Sequence, residues 1–216
     1  FNTKVDESTG IYQFQGAMTV IDNETGKVVA MIGGRSQDEL QQTYSLNRGF
    51  QSFKQPGSSI KPLVIYTPAL EEGYDANSTL TEIDVKAAKK STSEKISKMS
   101  GKKMSLRYAV EDSKNGCAYS LYNIITPKVG LSYIENMNFS KIVQQDYTLS
   151  SGLGGLHHGT NTVEMANAYS TLENHGEYRQ ADCISSILDA SGNEIYEEPE
   201  SKTVYTRSAS DQMTDI

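Results

Sequence analysis

A chain of 216 residues with 20 basic and 27 acidic side chains has a formal charge of −7, and its length suits one domain, or one plus a fragment, folded around a single core. That acidity, with a pI near 5.0, argues against nucleic acid or an anionic membrane surface as a partner. An apolar fraction of 37% and a mean hydropathy of −0.51 are polar, but Ile, Val, Leu and Tyr are too plentiful for general disorder.

The chain opens at Phe1 rather than Met, with no basic and apolar leader pattern behind it, and is expected to be a trimmed piece of something longer. Residues 1–16 mix polar and charged residues with Gly10 and Gly16, as a linker or edge segment would. The β-branched runs 17–21 and 27–32 flank a short turn containing Asn23 and Gly26, which predicts a β-hairpin ended by Gly33-Gly34. A polar loop rich in Gln and Ser follows, to about residue 50. Pro56-Gly57 then breaks the chain ahead of Ser58 and Ser59, which stand where the cap of a helix over 60–72 would be, with Gly73 as its stop. Pro62 falls in the tolerated first turn, whereas Pro68 should kink the helix.

Residues 77–103 gather Lys86, Lys89, Lys90, Lys95, Lys98, Lys102 and Lys103 and read as a solvated basic loop or exposed helix face rather than a partner patch. A helical pattern over 105–139 carries Leu106, Ala109, Val110, Ala118, Leu121 and Ile124-Ile125. A glycine-punctuated loop at 152–159 leads to a helix over 163–172 closed by Gly176, and a second hairpin is predicted from 183–188 and 194–196. Cys117 and Cys183 form neither a disulfide framework nor a C-x-x-C motif and are expected to be buried apolar fillers. His157, His158 and His175 have no Glu or Cys at ligand spacing and read as loop histidines, so neither a metal nor a cofactor is implied. No run approaches the ~18 apolar residues of a membrane span.

One arrangement carries chemistry. In Ser58-x-x-Lys61 the two side chains share a helix face, so a hydroxyl and an amine come within reach. A desolvated amine loses pKa, and its neutral form can take the serine proton. A serine opening a helix also places its own N–H where an oxyanion could be held. The pattern alone is weak: with 25 Ser and 15 Lys in 216 residues, roughly 1.7 matches arise by chance, and a second one, Ser100/Lys103, lies in the polar lysine-rich stretch. S-x-N occurs at Ser45/Asn47, Ser113/Asn115 and Ser191/Asn193, and each fits an ordinary turn role. Context separates them. Ser58 follows a breaker and opens an apolar helix, and Ser113 sits between two helical stretches.

The run from Gln55 to Pro62, with Leu46-Asn47-Arg48 before it and Ala69-Leu70-Glu71 after it, resembles the transpeptidase domain of class A penicillin-binding proteins. The strand Val28–Ile32 with Gly33-Gly34, the stretch from Leu106 to Asn115, Leu153-Gly154-Gly155 and the stretch from Thr162 to Tyr169 resemble further parts of that domain, in the same order, over about residues 16–216. The resemblance implies an α/β (α+β) penicillin-binding/β-lactamase-like fold, an antiparallel sheet with a helical subdomain holding Ser58 and Ser113. It implies a peptidoglycan D,D-transpeptidase acting on stem peptides through an acyl-serine and acylated by β-lactam antibiotics. Ser58 would be the nucleophile, Lys61 its base, Ser113 the proton relay to the leaving D-alanine, and Asn115 the group that binds the substrate amide and orients Lys61. The identity of the acylation base is disputed in such motif sets.

The family's third motif, Lys-Thr-Gly, occurs nowhere in the chain, and Lys202-Thr203-Val204 lacks the glycine. Losing an oxyanion donor near that motif would cost on the order of 10² to 10³ in rate. Residues 17–216 are therefore expected to be a partial transpeptidase domain, incomplete at its C-terminus and needing the missing C-terminal part of the same domain. An exposed sheet edge is expected to follow from that. The resemblance also implies the extracytoplasmic face of a bacterial membrane, a membrane anchor and an N-terminal glycosyltransferase partner domain. Two rivals stand beside it: a D,D-carboxypeptidase or β-lactamase-like hydrolase of the same fold, and an inactive binding or scaffolding module that kept the fold.

Overall fold

The computed structural model describes residues 3–37 and 45–216, so part of the predicted polar loop before residue 50 lies outside the described residues. Strands β1 (Met18–Ile21) and β2 (Val28–Ile32) pair antiparallel, as the β-branched runs around a turn predict, with a register shift between Val20 and Ile21. Their turn is set by the Asp22 carboxylate, which accepts from the backbone N–H and the hydroxyl of Thr25, and by Gly26 at φ +72°. Rather than one sheet, the described residues hold three separate two-stranded antiparallel pairs. The second joins β3 (Thr79–Glu82) to β4 (Lys102–Ser105), and the third joins β5 (Glu177–Tyr178) to β6 (Lys202–Thr203).

The predicted helix over 60–72 is built from three geometries in series: a 3₁₀ turn at Gly57–Ile60, a π-turn at Pro62–Tyr66 and helix α1 (Thr67–Glu71). Pro68 does not break it. In the π-turn the Thr67 N–H reaches back five residues to the Pro62 carbonyl. The same register would aim residue 68 at the Leu63 carbonyl, and proline has no N–H to give. The Tyr205 hydroxyl donates to that carbonyl instead, at 2.7 Å.

Between β3 and β4 lie two short helices, α2 (Val85–Ala88) and α3 (Ser93–Ser97), capped by Asp84 and Thr92. Three helices then fill the predicted helical stretch: α4 (Leu106–Glu111), capped by Ser105, α5 (Asn115–Ile125), and α6 (Pro127–Asn136), capped by Thr126. Helix α7 (Thr162–Glu173) starts at a capping box in which Asn161 and Glu164 bond reciprocally to each other's backbone N–H. Helix α8 (Arg207–Asp215) begins at the Thr206 cap. One continuous core joins the π-turn, α4–α8 and β5, with Leu63, Tyr66, Leu106, Leu121, Tyr122 and Tyr205 among its fully buried members.

Two expectations are corrected. The hairpin at 183–196 forms its turn, through Asp189 and Asn193, but only a single bridge, Leu188↔Glu194, and no strands. Ile184, Ile187, Leu188 and Ile195 are 40–60% exposed, and a two-stranded ribbon without a covered face is marginal in water. Cys117 is buried as expected, whereas Cys183, in that same uncovered stretch, is exposed.

Candidate active site

Three of the four residues picked from the sequence converge. Lys61 is 2% exposed, and its Nζ donates to the Ser113 carbonyl at 2.8 Å, the Ser113 Oγ at 3.0 Å and the Asn115 Oδ1 at 2.7 Å. The turn between α4 and α5 makes this possible. Ser113 stands at φ +49°, a left-handed conformation that turns its carbonyl and hydroxyl toward Lys61, and Asn115 is the first residue of α5. Ser58 sits in the 3₁₀ turn on the same helical segment, three residues before Lys61, with its side chain exposed. Its hydroxyl makes no hydrogen bond among the described residues, so Ser58 is placed beside the cluster but is not bonded into it.

Burial pulls the Lys61 ammonium below its ordinary value of 10.5, and the nearby Cys117 offsets this in part. All three partners of the amine are neutral groups, so no carboxylate bonds to it to restore the charge. Cys117, two residues into α5, is pushed up to about 11 by burial, and near neutral pH it is a protonated thiol rather than a nucleophile.

The serine-bearing segment is held from behind. Lys54 and Thr160 exchange backbone hydrogen bonds at 2.8 Å, Gln55 Nε2 donates to the Leu156 carbonyl at 3.2 Å, and the Tyr169 hydroxyl on α7 donates to the Ser59 carbonyl at 2.8 Å. Gly154, at φ +85°, lies against Gly57, where an added Cβ would meet the Gly57 carbonyl oxygen at 2.3 Å. The approach demands glycine at 154, whereas a Cβ on Gly57 would meet nothing within 4 Å. The loop carrying Gly154 is folded around the buried Asp146 carboxylate, which accepts from the N–H of His157 at 2.6 Å and of Val143 at 2.9 Å. The sequence marked this loop only by its glycines; Asp146 and Tyr169 carried no signal of their own.

A groove of about 1130 Å³ runs nearby, lined by Tyr12, Pro56, Ser59, Thr160, Met165 and Tyr169. It borders Ser59 and touches none of Ser58, Lys61, Ser113 or Asn115, so the side-chain geometry rather than the groove locates the site. The other motif matches play the turn roles expected of them. Asn47 Oδ1 accepts from the Gly49 N–H, Asn193 bonds to Asp189, and Lys103 lies exposed on β4.

Residues 16–216 match the family described as the penicillin binding protein transpeptidase domain. The chain belongs to that family. Among curated relatives, penicillin-binding protein 4 of Bacillus subtilis is 32% identical over 182 residues, 84% of this chain and 28% of the relative. Penicillin-binding protein 1F of the same organism is 32% identical over 201 residues, 93% of this chain and 27% of the relative. The chain thus spans little more than a quarter of the length of these relatives. Among solved structures, PonA1 of Mycobacterium tuberculosis in complex with penicillin V aligns with a TM-score of 0.70 at 18% identity, over 93% of this chain and 54% of that one. The penicillin-binding transpeptidase fold is shared, and its separate antiparallel strand pairs and helices are those described above.

Proposed function

We propose that the chain forms part of a serine D,D-transpeptidase that cross-links peptidoglycan stem peptides and is acylated by β-lactams. The observation that carries this is the buried Lys61 amine, held by three neutral oxygens one turn from Ser58. A neutral amine has two N–H groups, enough for the Ser113 carbonyl and Asn115 Oδ1. Its lone pair is then open to the Ser58 proton. Ser58 Oγ attacks the D-alanyl-D-alanine carbonyl carbon as that proton moves to Lys61, giving a tetrahedral oxyanion. Lys61 passes a proton to Ser113 Oγ as the Ser113 hydroxyl gives its own to the departing D-alanine nitrogen, and the acyl–Ser58 ester remains. With Asn115 Oδ1 engaged on Lys61, its Nδ2 is left to bind the substrate amide. An amine from a neighbouring stem then takes the acyl group, and a β-lactam stops at the ester.

Membership in the family, together with bacterial relatives, supports an extracytoplasmic site of action at the cell membrane beside a glycosyltransferase domain. Ser58, whose hydroxyl is not bonded into the Lys61 cluster among the described residues, leaves one second reading, an inactive binding module; a carboxypeptidase would use the same four residues. The test is fluorescent penicillin labelling of the chain, alone and with a Lys-Thr-Gly strand supplied alongside, in parent and Ser58→Ala forms. Label that is lost with Ser58 supports the proposal. No serine-dependent label in either form sinks the enzyme reading, and label that persists in Ser58→Ala sinks the choice of nucleophile. Release of D-alanine to water rather than to an acceptor amine would select the carboxypeptidase.

A further inference from the structure

The helical segment that carries Ser58 and Lys61 contains two prolines, and each leaves a backbone carbonyl without the N–H that its register calls for. Pro68 does so for Leu63, whose carbonyl the Tyr205 hydroxyl meets. Pro62 does so nearer the nucleophile. The turn Gly57–Ile60 is 3₁₀, and the Lys61 N–H closes it by reaching back three residues to the Ser58 carbonyl. The next bond in that register would run from residue 62 to the Ser59 carbonyl, and residue 62 is proline. The Tyr169 hydroxyl, on α7, donates to the Ser59 carbonyl at 2.8 Å. A side chain 110 positions away thus supplies the bond that the turn lacks, one residue from Ser58.

The donor stands on a firm base. α7 is tied down at its start by the Asn161–Glu164 capping box, by the Thr162 hydroxyl on the Gly49 carbonyl at 2.9 Å and by Glu164 on the Ser140 N–H at 2.8 Å, and its Ala168 and Leu172 lie in the core. Burial raises the Tyr169 pKa above its ordinary value of 10.0, so the hydroxyl keeps its proton near neutral pH, and a carbonyl partner leaves it only the donor's role. The other end of the turn is held by the Ser59 hydroxyl on the Pro56 carbonyl at 2.8 Å and by the Gly154 backbone against Gly57. With both ends fixed, the Ser58 hydroxyl and N–H are set relative to the Lys61 cluster. We propose that Tyr169 is a positioning residue for Ser58: its hydroxyl replaces the N–H that Pro62 lacks and holds the 3₁₀ turn in the shape that presents the serine to a carbonyl carbon. This role rests on Ser58 as the nucleophile, and the experiment tells the two apart.

Four forms are compared: the parent, Tyr169→Phe, Pro62→Ala and the double variant. Penicillin acylation is followed against drug concentration and pH, in whichever form of the chain takes the label, and amide hydrogen exchange over residues 57–63 is followed in the 216-residue chain. Tyr169→Phe should slow the acylation step about tenfold or more. The half-saturating penicillin concentration and the pH profile should not move, since the hydroxyl touches neither the drug nor Lys61. Exchange over 57–63 should quicken several-fold, with a melt close to the parent's, because Ser59 is exposed and water can satisfy its carbonyl without fixing it. Pro62→Ala gives residue 62 an N–H. Alone it should react as the parent does, and in the double variant it should recover most of the rate and of the exchange protection. A contribution of Tyr169 to the fold alone would add to Pro62→Ala rather than be rescued by it. Unchanged acylation in Tyr169→Phe, a loss that Pro62→Ala leaves in place, or a loss confined to the half-saturating concentration each overturns the role. If the parent takes no serine-dependent label, the nucleophile reading fails by itself and exchange decides: quickening that Pro62→Ala reverses sustains the hold on the turn, and unmoved exchange overturns it.

Discussion

Lys61 and Lys27 each donate to three oxygens, and the regions around them push the two amines in opposite directions. Lys61 is buried against a carbonyl, a hydroxyl and an amide oxygen, all neutral, and burial lowers its pKa. Lys27, at the start of β2, donates to the Asp182 carboxylate at 3.1 Å, the Ile184 carbonyl at 2.8 Å and the Tyr196 hydroxyl at 2.8 Å, with Glu198 a further 3.5 Å ion pair. Its pKa is raised, first by the Tyr196 hydrogen bond and then by Asp182. The number of partners does not decide protonation. The charge of the partners and the access of water do, so the same side chain suits a base in one region and a clamp in the other.

The sharpest way to break this contrast is to remove the buried amine. Lys61→Met should lower the rate of penicillin acylation on the order of 10² to 10⁴, the usual worth of a general base. The melting temperature should hold or rise, because a desolvated amine is gone and the exposed Ser113 and Asn115 can hydrate their freed oxygens. Equal labelling of variant and parent would remove Lys61 from the mechanism. A second change makes Lys61 resemble Lys27. Asn115→Asp sets a carboxylate where Oδ1 now lies 2.7 Å from Nζ, which should raise the lysine pKa by about 1–3 units. The base acts when neutral, and its neutral fraction grows with pH. The rise of acylation rate with pH should therefore move upward by that amount, and an unmoved profile would mean that another group is the base.

The third effect is on stability and concerns how the Lys61 segment is held. Tyr205→Phe leaves the buried Leu63 carbonyl without its donor and should cost about 1–3 kcal/mol, read as a lower denaturation midpoint. Tyr205 also marks the limit of what the sequence could say. Ser58-x-x-Lys61 and Ser113-x-Asn115 were legible because each is short and their flanks place them at a helix start and an interhelical turn. How Pro68 is accommodated was not legible, since the Leu63 carbonyl that it leaves without an N–H is met by the Tyr205 hydroxyl, 142 positions from Leu63. Nor was the Gly57–Gly154 approach, which couples two loops distant in sequence. The two runs read as hairpins, 17–32 and 183–196, looked alike, but only the first has a cover: Thr19 on β1 meets Thr162 on α7 at 2.7 Å between hydroxyls. The second has no such cover and stays a turn with one bridge. The β3–β4 pair escaped notice because its strands are rich in Lys, Ser and Thr, residues that carry no clear period.

The smallest effect belongs to the clamp. Asp182 is held down to about 2, chiefly by the Tyr196 hydroxyl, with the Ile184 N–H and Lys27 adding to it. Its native pKa lies below its ordinary value of 3.8. The stabilisation is therefore fully present above about pH 4 and is lost as pH falls through the folded value. Asp182→Asn imitates that loss at neutral pH. It should release the 183–198 segment, so that limited proteolysis cuts there several-fold faster, while penicillin acylation stays within about twofold of the parent, since surface ion pairs contribute little to the whole fold. In the parent, cleavage by an acid-stable protease should quicken between about pH 4 and pH 2, and in Asp182→Asn it should already be fast at pH 4. If acylation fell together with the release of the segment, the two lysine regions would be coupled, and the separation between base and clamp would not hold.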